Sequence, residues 1–259
     1  MYKLFISLLL LIPQYIYSQD LKILSYNLGT SIFKSHKKSI KKLARVINYY
    51  DSDVNIFQNS FNRSTNMLLL NSEQPYYTFI GDKKKKVGNK ITSKFPIIHE
   101  KYNRFSKIYG LWKSYGISFT RIKLLEREIS IFNITMPKSK KTRWSYILDI
   151  EKKIKRSSYD HLFILAIEFD KIPNNDHLSY LKERLNLTDI TDRFIMENNL
   201  NKNLYKTGMH KKKPARTNYL FIGNSPQSMK IINVHPVFDG RHDENRYLKD
   251  AGILFHLDI

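Results

Sequence analysis

Apolar and polar positions along this chain fall into short alternating bursts, interrupted by stretches in which apolar residues recur at helical spacing. Residues 21–26 read Leu-Lys-Ile-Leu-Ser-Tyr and break at Asn27-Leu28-Gly29, which predicts a strand closed by a turn. Ile40, Leu43, Ala44 and Ile47 then follow at a 3.6-residue period with lysines between them, which predicts an amphipathic helix. A second strand is predicted over residues 53–58, and further strands over 76–80, 89–92, 95–102, 116–124 and 129–135. In residues 141–154 the apolar positions Trp144, Ile147, Leu148, Ile150 and Ile154 predict a helix with a cationic opposite face. Residues 162–167 are wholly apolar, as in a strand buried on both faces. A helix through Leu178, Leu181 and Leu185 follows Asn174 and Asn175, and the last strands are predicted at 219–222, 229–234 and 252–257. Residues 196–216 lack apolar periodicity and read as a loop.

The strand, helix, strand opening points to the α/β class. Strands outnumber helices, and many are joined by short turns. The economical way to bury such strands is a two-layer β-sandwich flanked by helices. No repeat and no Gly- or Pro-rich linker divides the chain, so residues 19–259 are expected to form one domain.

The amino terminus is expected to be an export signal over residues 1–18. A single charge at Lys3 precedes an uncharged apolar run, and small Ser18 stands at the cut. The run is too short for a bilayer, which needs about 20 apolar residues. The alternatives are a buried first strand or a short anchor helix. The expected destination is extracellular, yet the chain has no Cys, so its stability must come from packing without disulfides. Asn62, Asn133 and Asn186 each head an Asn-x-Ser/Thr sequon. The net charge is +21, and loss of Lys3 with the leader lowers it by one. Such a surface favours polyanions, nucleic acid or anionic membrane. It equally fits a composition rich in Lys, Asn, Ile and Tyr, with the lysines gathered in separate solvated runs at 83–86, 138–141 and 210–213.

Several strand ends carry polar residues after apolar runs: Asn27, Gln58-Asn59, Asn133-Ile134-Thr135, Glu168-Phe169-Asp170 and Lys249-Asp250-Ala251. In order and spacing these segments resemble the endonuclease/exonuclease/phosphatase superfamily with its DNase I-like fold, and within it the bacterial-type neutral sphingomyelinase C branch. Leu24-Ser25-Tyr26-Asn27 resembles the family's opening strand. Val54-Asn55-Ile56-Phe57-Gln58-Asn59 resembles the strand that ends there in a metal-binding Glu. Asn89-Lys90-Ile91-Thr92-Ser93-Lys94-Phe95-Pro96-Ile97, Phe132-Asn133-Ile134-Thr135, Leu165-Ala166-Ile167-Glu168-Phe169-Asp170, Asn218-Tyr219-Leu220-Phe221 and Asp250-Ala251-Gly252 resemble later segments in the same order.

The resemblance implies Mg²⁺-assisted phosphodiester hydrolysis, with a hard cation on oxygen ligands and a group titrating near neutrality for the proton. Carried over residue by residue, that machinery is depleted. Asn27 and Asp250 are kept. Asn59 stands for the metal-binding Glu, Thr135 for the phosphate-steadying His, and Ala251 for the proton-carrying His. Glu168 stands for the water-orienting Asp and Asp170 for the phosphate-binding Asn. Losing an acid–base group typically costs two to four orders of magnitude in rate, and such losses need not multiply.

The expectation is therefore a secreted, sphingomyelinase-like protein without most of its hydrolase activity that acts by binding a membrane, a sphingomyelin-type lipid or a host surface. Two other readings stay open. One is an active Mg²⁺-dependent phosphodiesterase in which Glu168, Asp170 and Asp250 hold the metal and His242 is a displaced proton carrier. The other is a nucleic-acid binder or nuclease. Trp112 and Tyr115, flanked by lysines, are candidates for membrane contact or for core filling. His256 is expected to be a half-buried neighbour of the sheet.

Overall fold

The computed structural model describes residues 19–28, 37–60, 68–78, 89–105, 115–136, 140–157, 161–169, 173, 175–210, 213–238 and 252–259. In chain order the elements are β1 (Asp20–Asn27), α1 (Lys37–Tyr49), β2 (Val54–Gln58), β3 (Tyr76–Tyr77), β4 (Lys90–Ser93), β5 (Ile97–Arg104), β6 (Gly116–Leu124) and β7 (Arg127–Met136). They continue with α2 (Lys140–Ser157), β8 (Phe163–Phe169), α3 (Asn175–Arg184), β9 (Leu187–Asp189), α4 (Ile190–Glu197), β10 (Gly208–His210), β11 (Lys213–Ala215), β12 (Asn218–Gly223), β13 (Lys230–Val237) and β14 (Gly252–Asp258). The expected export segment lies outside the described residues, and no described helix is long and apolar enough to cross a membrane.

Two mixed sheets, ordered β13-β14-β1-β2-β4-β3 and β5-β6-β7-β8-β12-β9, pack face to face. In each, one parallel pair is bridged by a helix: β1 and β2 through α1, β7 and β8 through α2. The other pairs described are antiparallel. A parallel pair aligns two carboxyl-terminal ends, and here both pairs do so at the same end of the sandwich.

Strand alternation decides which residues fill which layer. Leu21, Ile23, Val54 and Ile56 meet Ile129, Ile131, Ile164 and Leu220 between the sheets. The intervening Leu24, Tyr26 and Phe57 pack under Leu43, Ala44 and Ile47 of α1. On the other side Phe132, Ile134, Leu165 and Ile167 pack under Tyr146, Ile147, Ile150 and Ile154 of α2. Every residue of β8 is buried, in keeping with its uninterrupted apolar run. Each such aliphatic side chain withdrawn from water contributes about 1.5–3 kcal/mol.

The structure differs from the sequence expectation in three places. Residues 196–216 are not a plain loop: they close α4 and contain a 3₁₀ turn, Lys202–Tyr205, and the β10-β11 hairpin. Trp144 and Leu148 are exposed, while Tyr146 takes a core place on α2 instead. Asn133 is fully buried and its side-chain amide donates to the carbonyls of Phe57 (3.0 Å) and Lys90 (3.2 Å), so its sequon is closed to modification in the folded protein. Of the other sequons, Asn186 is exposed and Asn62 lies outside the described residues.

The outer layer is clasped by Glu151 of α2. Its carboxylate accepts from Lys155 Nζ (2.7 Å), Tyr180 Oη (2.7 Å) and Arg184 Nε (3.0 Å), the last two on α3. Lys155 above all, with Tyr180 and Arg184, holds the Glu151 carboxyl at about 2, against the opposing effect of burial. A depressed carboxylate contributes stability that is complete above its unfolded pKa and is lost as pH falls through the folded value. Wild-type protein should therefore lose stability between about pH 4.5 and pH 2, and Glu151→Gln should flatten that limb while costing about 1–3 kcal/mol at neutral pH, as read by urea unfolding at a series of pH values.

Candidate functional site

The inner faces of the two sheets change character along their length. They are aliphatic at one end, but at the carboxyl-terminal end of the parallel strands they carry Ser25 and Asn27 of β1, Gln58 of β2, Asn133 and Thr135 of β7, Glu168 of β8 and Asn218 of β12, all buried. Polar groups withdrawn from water have to find partners within the protein. Most of them do so, in two adjacent networks, whereas Asn133 Oδ1 is buried without a hydrogen-bond partner.

The first contains the residues singled out from the sequence. Asn59 Nδ2 donates to Asn27 Oδ1 (2.9 Å), and Asn27 Nδ2 donates to Glu168 Oε1 (3.0 Å). The Asn59 backbone N–H donates to Thr135 Oγ1 (3.2 Å), whose hydroxyl donates to Asn89 Oδ1 (2.6 Å). Asn89 Nδ2 in turn donates to the Asn133 carbonyl (2.8 Å). Asn59, just after β2, has φ 54°, a left-handed conformation that Asn tolerates far better than most residues.

The second network is a ring beside it. Ser25 Oγ donates to Asn218 Oδ1 (2.9 Å), Asn218 Nδ2 to Gln58 Oε1 (3.3 Å), and Gln58 Nε2 to Ser25 Oγ (3.1 Å). Cross-strand register places Asn27 beside Gln58, and Glu168 between Thr135 and Asn218. Asn89, Ser25, Gln58 and Asn218 thus join the site although they match no catalytic role in the sequence. Each lay within a segment that resembles the family, but as a polar residue with no assigned role.

Asn27, Asn59, Thr135 and Glu168 are therefore brought together. Asp170, Asp250, Ala251, His242 and Trp112 lie outside the described residues, as does the lysine run at 83–86. Tyr115 precedes β6 and packs, half-buried, against the core between the second sheet and its helices. His256 is on β14, where it pairs with Asp20 (3.3 Å) at the other end of β1 from Asn27.

Just before β12, Arg216 is held by Asp189 (2.7 Å) and Asp192 (3.0 Å), with its guanidinium 4.3 Å from the centre of the Tyr219 ring. Burial works against the Arg216 charge, but the two carboxylates outweigh it and raise its pKa. The Tyr219 phenol is pushed up to about 12, chiefly by burial, so it stays protonated and is no proton carrier near neutrality.

Mg²⁺ takes near-octahedral oxygen ligands and needs negative charge to offset its dehydration. In the described network one carboxylate, Glu168, is present, and the oxygens nearest it already accept from amide N–H groups. No cluster of three His, Cys, Asp or Glu suited to a metal occurs among the described residues. Of the three carboxylates expected to hold a metal, Glu168 is in this network, while Asp170 and Asp250 lie outside the described residues. What the described bonds do is tie the strand ends together, with the Glu168 carboxylate an acceptor among amides and a hydroxyl. Thr135→Val would strand both the Asn59 N–H and Asn89 Oδ1, so it should cost about 1–3 kcal/mol by urea denaturation, while Thr135→Ser should stay within about 0.5 kcal/mol of wild type.

No family model and no curated protein matches the chain. Solved structures do. D. rerio TDP2 in complex with a single-strand DNA product superposes with a TM-score of 0.73 at 12% identity, covering 93% of this chain and 100% of that one. SmcL superposes with a TM-score of 0.69 at 17% identity, covering 92% and 99%. An endonuclease/exonuclease/phosphatase family protein from Leptotrichia buccalis superposes with a TM-score of 0.67 at 17% identity, covering 92% and 100%. With two mixed sheets, flanking helices and whole-length overlays of this kind, the chain has the DNase I-like fold of the endonuclease/exonuclease/phosphatase proteins.

Proposed function

We propose that this protein is a secreted, sphingomyelinase-like member of the metal-dependent phosphodiesterase superfamily that binds its target without hydrolysing it. The observation that carries this reading is the link from Asn59 through Asn27 to Glu168. Where the resemblance requires a carboxylate for Mg²⁺, an amide sits in a left-handed turn and donates to its neighbour. Where it requires an imidazole, the Thr135 hydroxyl closes a hydrogen bond to Asn89. Neither replacement supplies the charge or the titration that the chemistry needs.

Glu168 then has a structural part to play. Its carboxylate oxygen receives the Asn27 amide across the two sheets, so it ties the end of β1 to the end of β8. The ancestral substrate class enters through the strand motifs shared with the neutral sphingomyelinase branch, and the extracellular setting through the expected leader. A choline-lipid surface is the binding target that fits both.

The test combines metal binding with turnover. Isothermal titration of the purified protein with Mg²⁺ should give no binding heat, and sphingomyelin vesicles should release no phosphocholine with or without the ion. Glu168→Gln keeps an acceptor for the Asn27 amide and removes a buried charge, so it should be at least as stable as wild type. Mg²⁺-stimulated turnover of sphingomyelin that Glu168→Gln abolishes would overturn the proposal in favour of an active phosphodiesterase. Turnover of DNA or RNA would replace it with a nuclease.

A further inference from the structure

Helix α2 carries an exposed stripe that the core does not explain. Trp144, Leu148 and Lys152 stand at successive i, i+4 positions, and side chains at that spacing share one helical face. Trp144 is 42% exposed and Leu148 44%, and Lys152 is exposed as well. Single apolar residues on a surface are ordinary, but two large ones a turn apart, continued by a cation, form a directed patch.

The inner side of this stripe is fixed. Trp144 lies 5.1 Å from the His177 ring and 5.0 Å from the Tyr180 ring, both on α3, so its indole has a set orientation. Burial, then the nearby Arg143 charge, lowers the His177 pKa, and the imidazole supporting Trp144 is therefore neutral near pH 7. The Glu151 carboxylate below is already engaged by Lys155, Tyr180 and Arg184. Along α2 the basic residues from Lys140 to Arg156 outnumber Asp149 and Glu151, in a chain of net charge +21.

Topology sets where the stripe points. As the crossover helix between β7 and β8, α2 begins within a few residues of the end of β7. Its amino-terminal turns, with Trp144 on them, therefore lie at the end of the molecule that holds Thr135 and Glu168. Tryptophan suits the boundary between head groups and hydrocarbon, and cations beside it are drawn to an anionic surface.

We propose that the Trp144–Leu148–Lys152 stripe is a docking surface for an anionic lipid membrane, seating the outer layer on the bilayer with the polar strand ends close to the surface. This goes beyond the choline-lipid reading given above by assigning a separate surface to anionic lipid, and it is tested without reference to catalysis.

The experiment uses vesicles of phosphatidylcholine alone and of phosphatidylcholine with phosphatidylserine, in EDTA so that any metal-dependent turnover is silent. The chain has two tryptophans, so Trp112→Phe leaves Trp144 as the fluorescent reporter. Docking predicts co-sedimentation with the anionic vesicles, weakening with salt, and a blue shift of Trp144 emission on binding. Trp144→Ser with Leu148→Ser should reduce partitioning on the order of tenfold, and Lys152→Glu should reduce it by about fivefold at low salt alone. Circular dichroism of both variants checks that they fold, and the exposed Lys152→Glu keeps the test decisive if the double variant does not. Partitioning that neither substitution changes, an unshifted Trp144 spectrum, or a wild-type dimer that the double variant dissociates would overturn the proposal, the last by assigning the stripe to contact between copies. Hydrolysis of sphingomyelin in the separate turnover assay would overturn the non-hydrolytic reading and leave this one standing.

Discussion

The constraint on which this structure rests is the requirement that buried polar groups be paired. A β-sandwich ordinarily fills its interior with aliphatic side chains from end to end. Here only one half is so filled, and the other holds amides, hydroxyls and a carboxylate contributed by β1, β2, β7, β8 and β12. Each unmade hydrogen bond in that half would cost about 1–3 kcal/mol, a large part of a typical domain's net stability. The register of the strands is consequently set twice, by aliphatic packing at one end and by amide pairing at the other. A slip of one residue would turn Leu21 and Ile23 outward and strand Asn27 and Gln58 at the same time.

Much of the architecture was legible because its signals are local. Period-2 and period-3.6 patterns placed most of the strands, the first helices and the fully buried β8 close to their observed bounds. Residues 187–215 escaped because the elements there are only a few residues long and owe their shape to partners elsewhere. Asp189, for example, caps α4 by accepting from the Asp192 N–H (3.2 Å) and also binds Arg216 from the segment between β11 and β12. Trp144 misled for a related reason: hydropathy records that an indole is apolar, but only the placement of α3 determines that its inner side rests on His177 and Tyr180 while the rest is open.

The site was half legible. Asn27, Asn59, Thr135 and Glu168 were singled out by resemblance, and the structure brings them together. Ser25, Gln58, Asn89 and Asn218 lay inside the resembling segments but carried no role there, because an amide bonded to another amide has no spacing rule. Ser25 and Asn218 are 193 residues apart in sequence and meet only because the two sheets face each other. Catalytic residues betray themselves by charge or titration, whereas a neutral network becomes visible only once the strands are assembled.

Asn59 joins the two sheets at one point. With φ 54°, it gives its backbone N–H to Thr135 in one sheet and its side-chain amide to Asn27 in the other. Glutamate there would have to bear the left-handed backbone, surrender the amide donor that Asn27 uses, and bring a second negative charge near Glu168. The turn after β2 thus acts as a rivet through the sandwich: the conformation of one residue fixes partners in both layers.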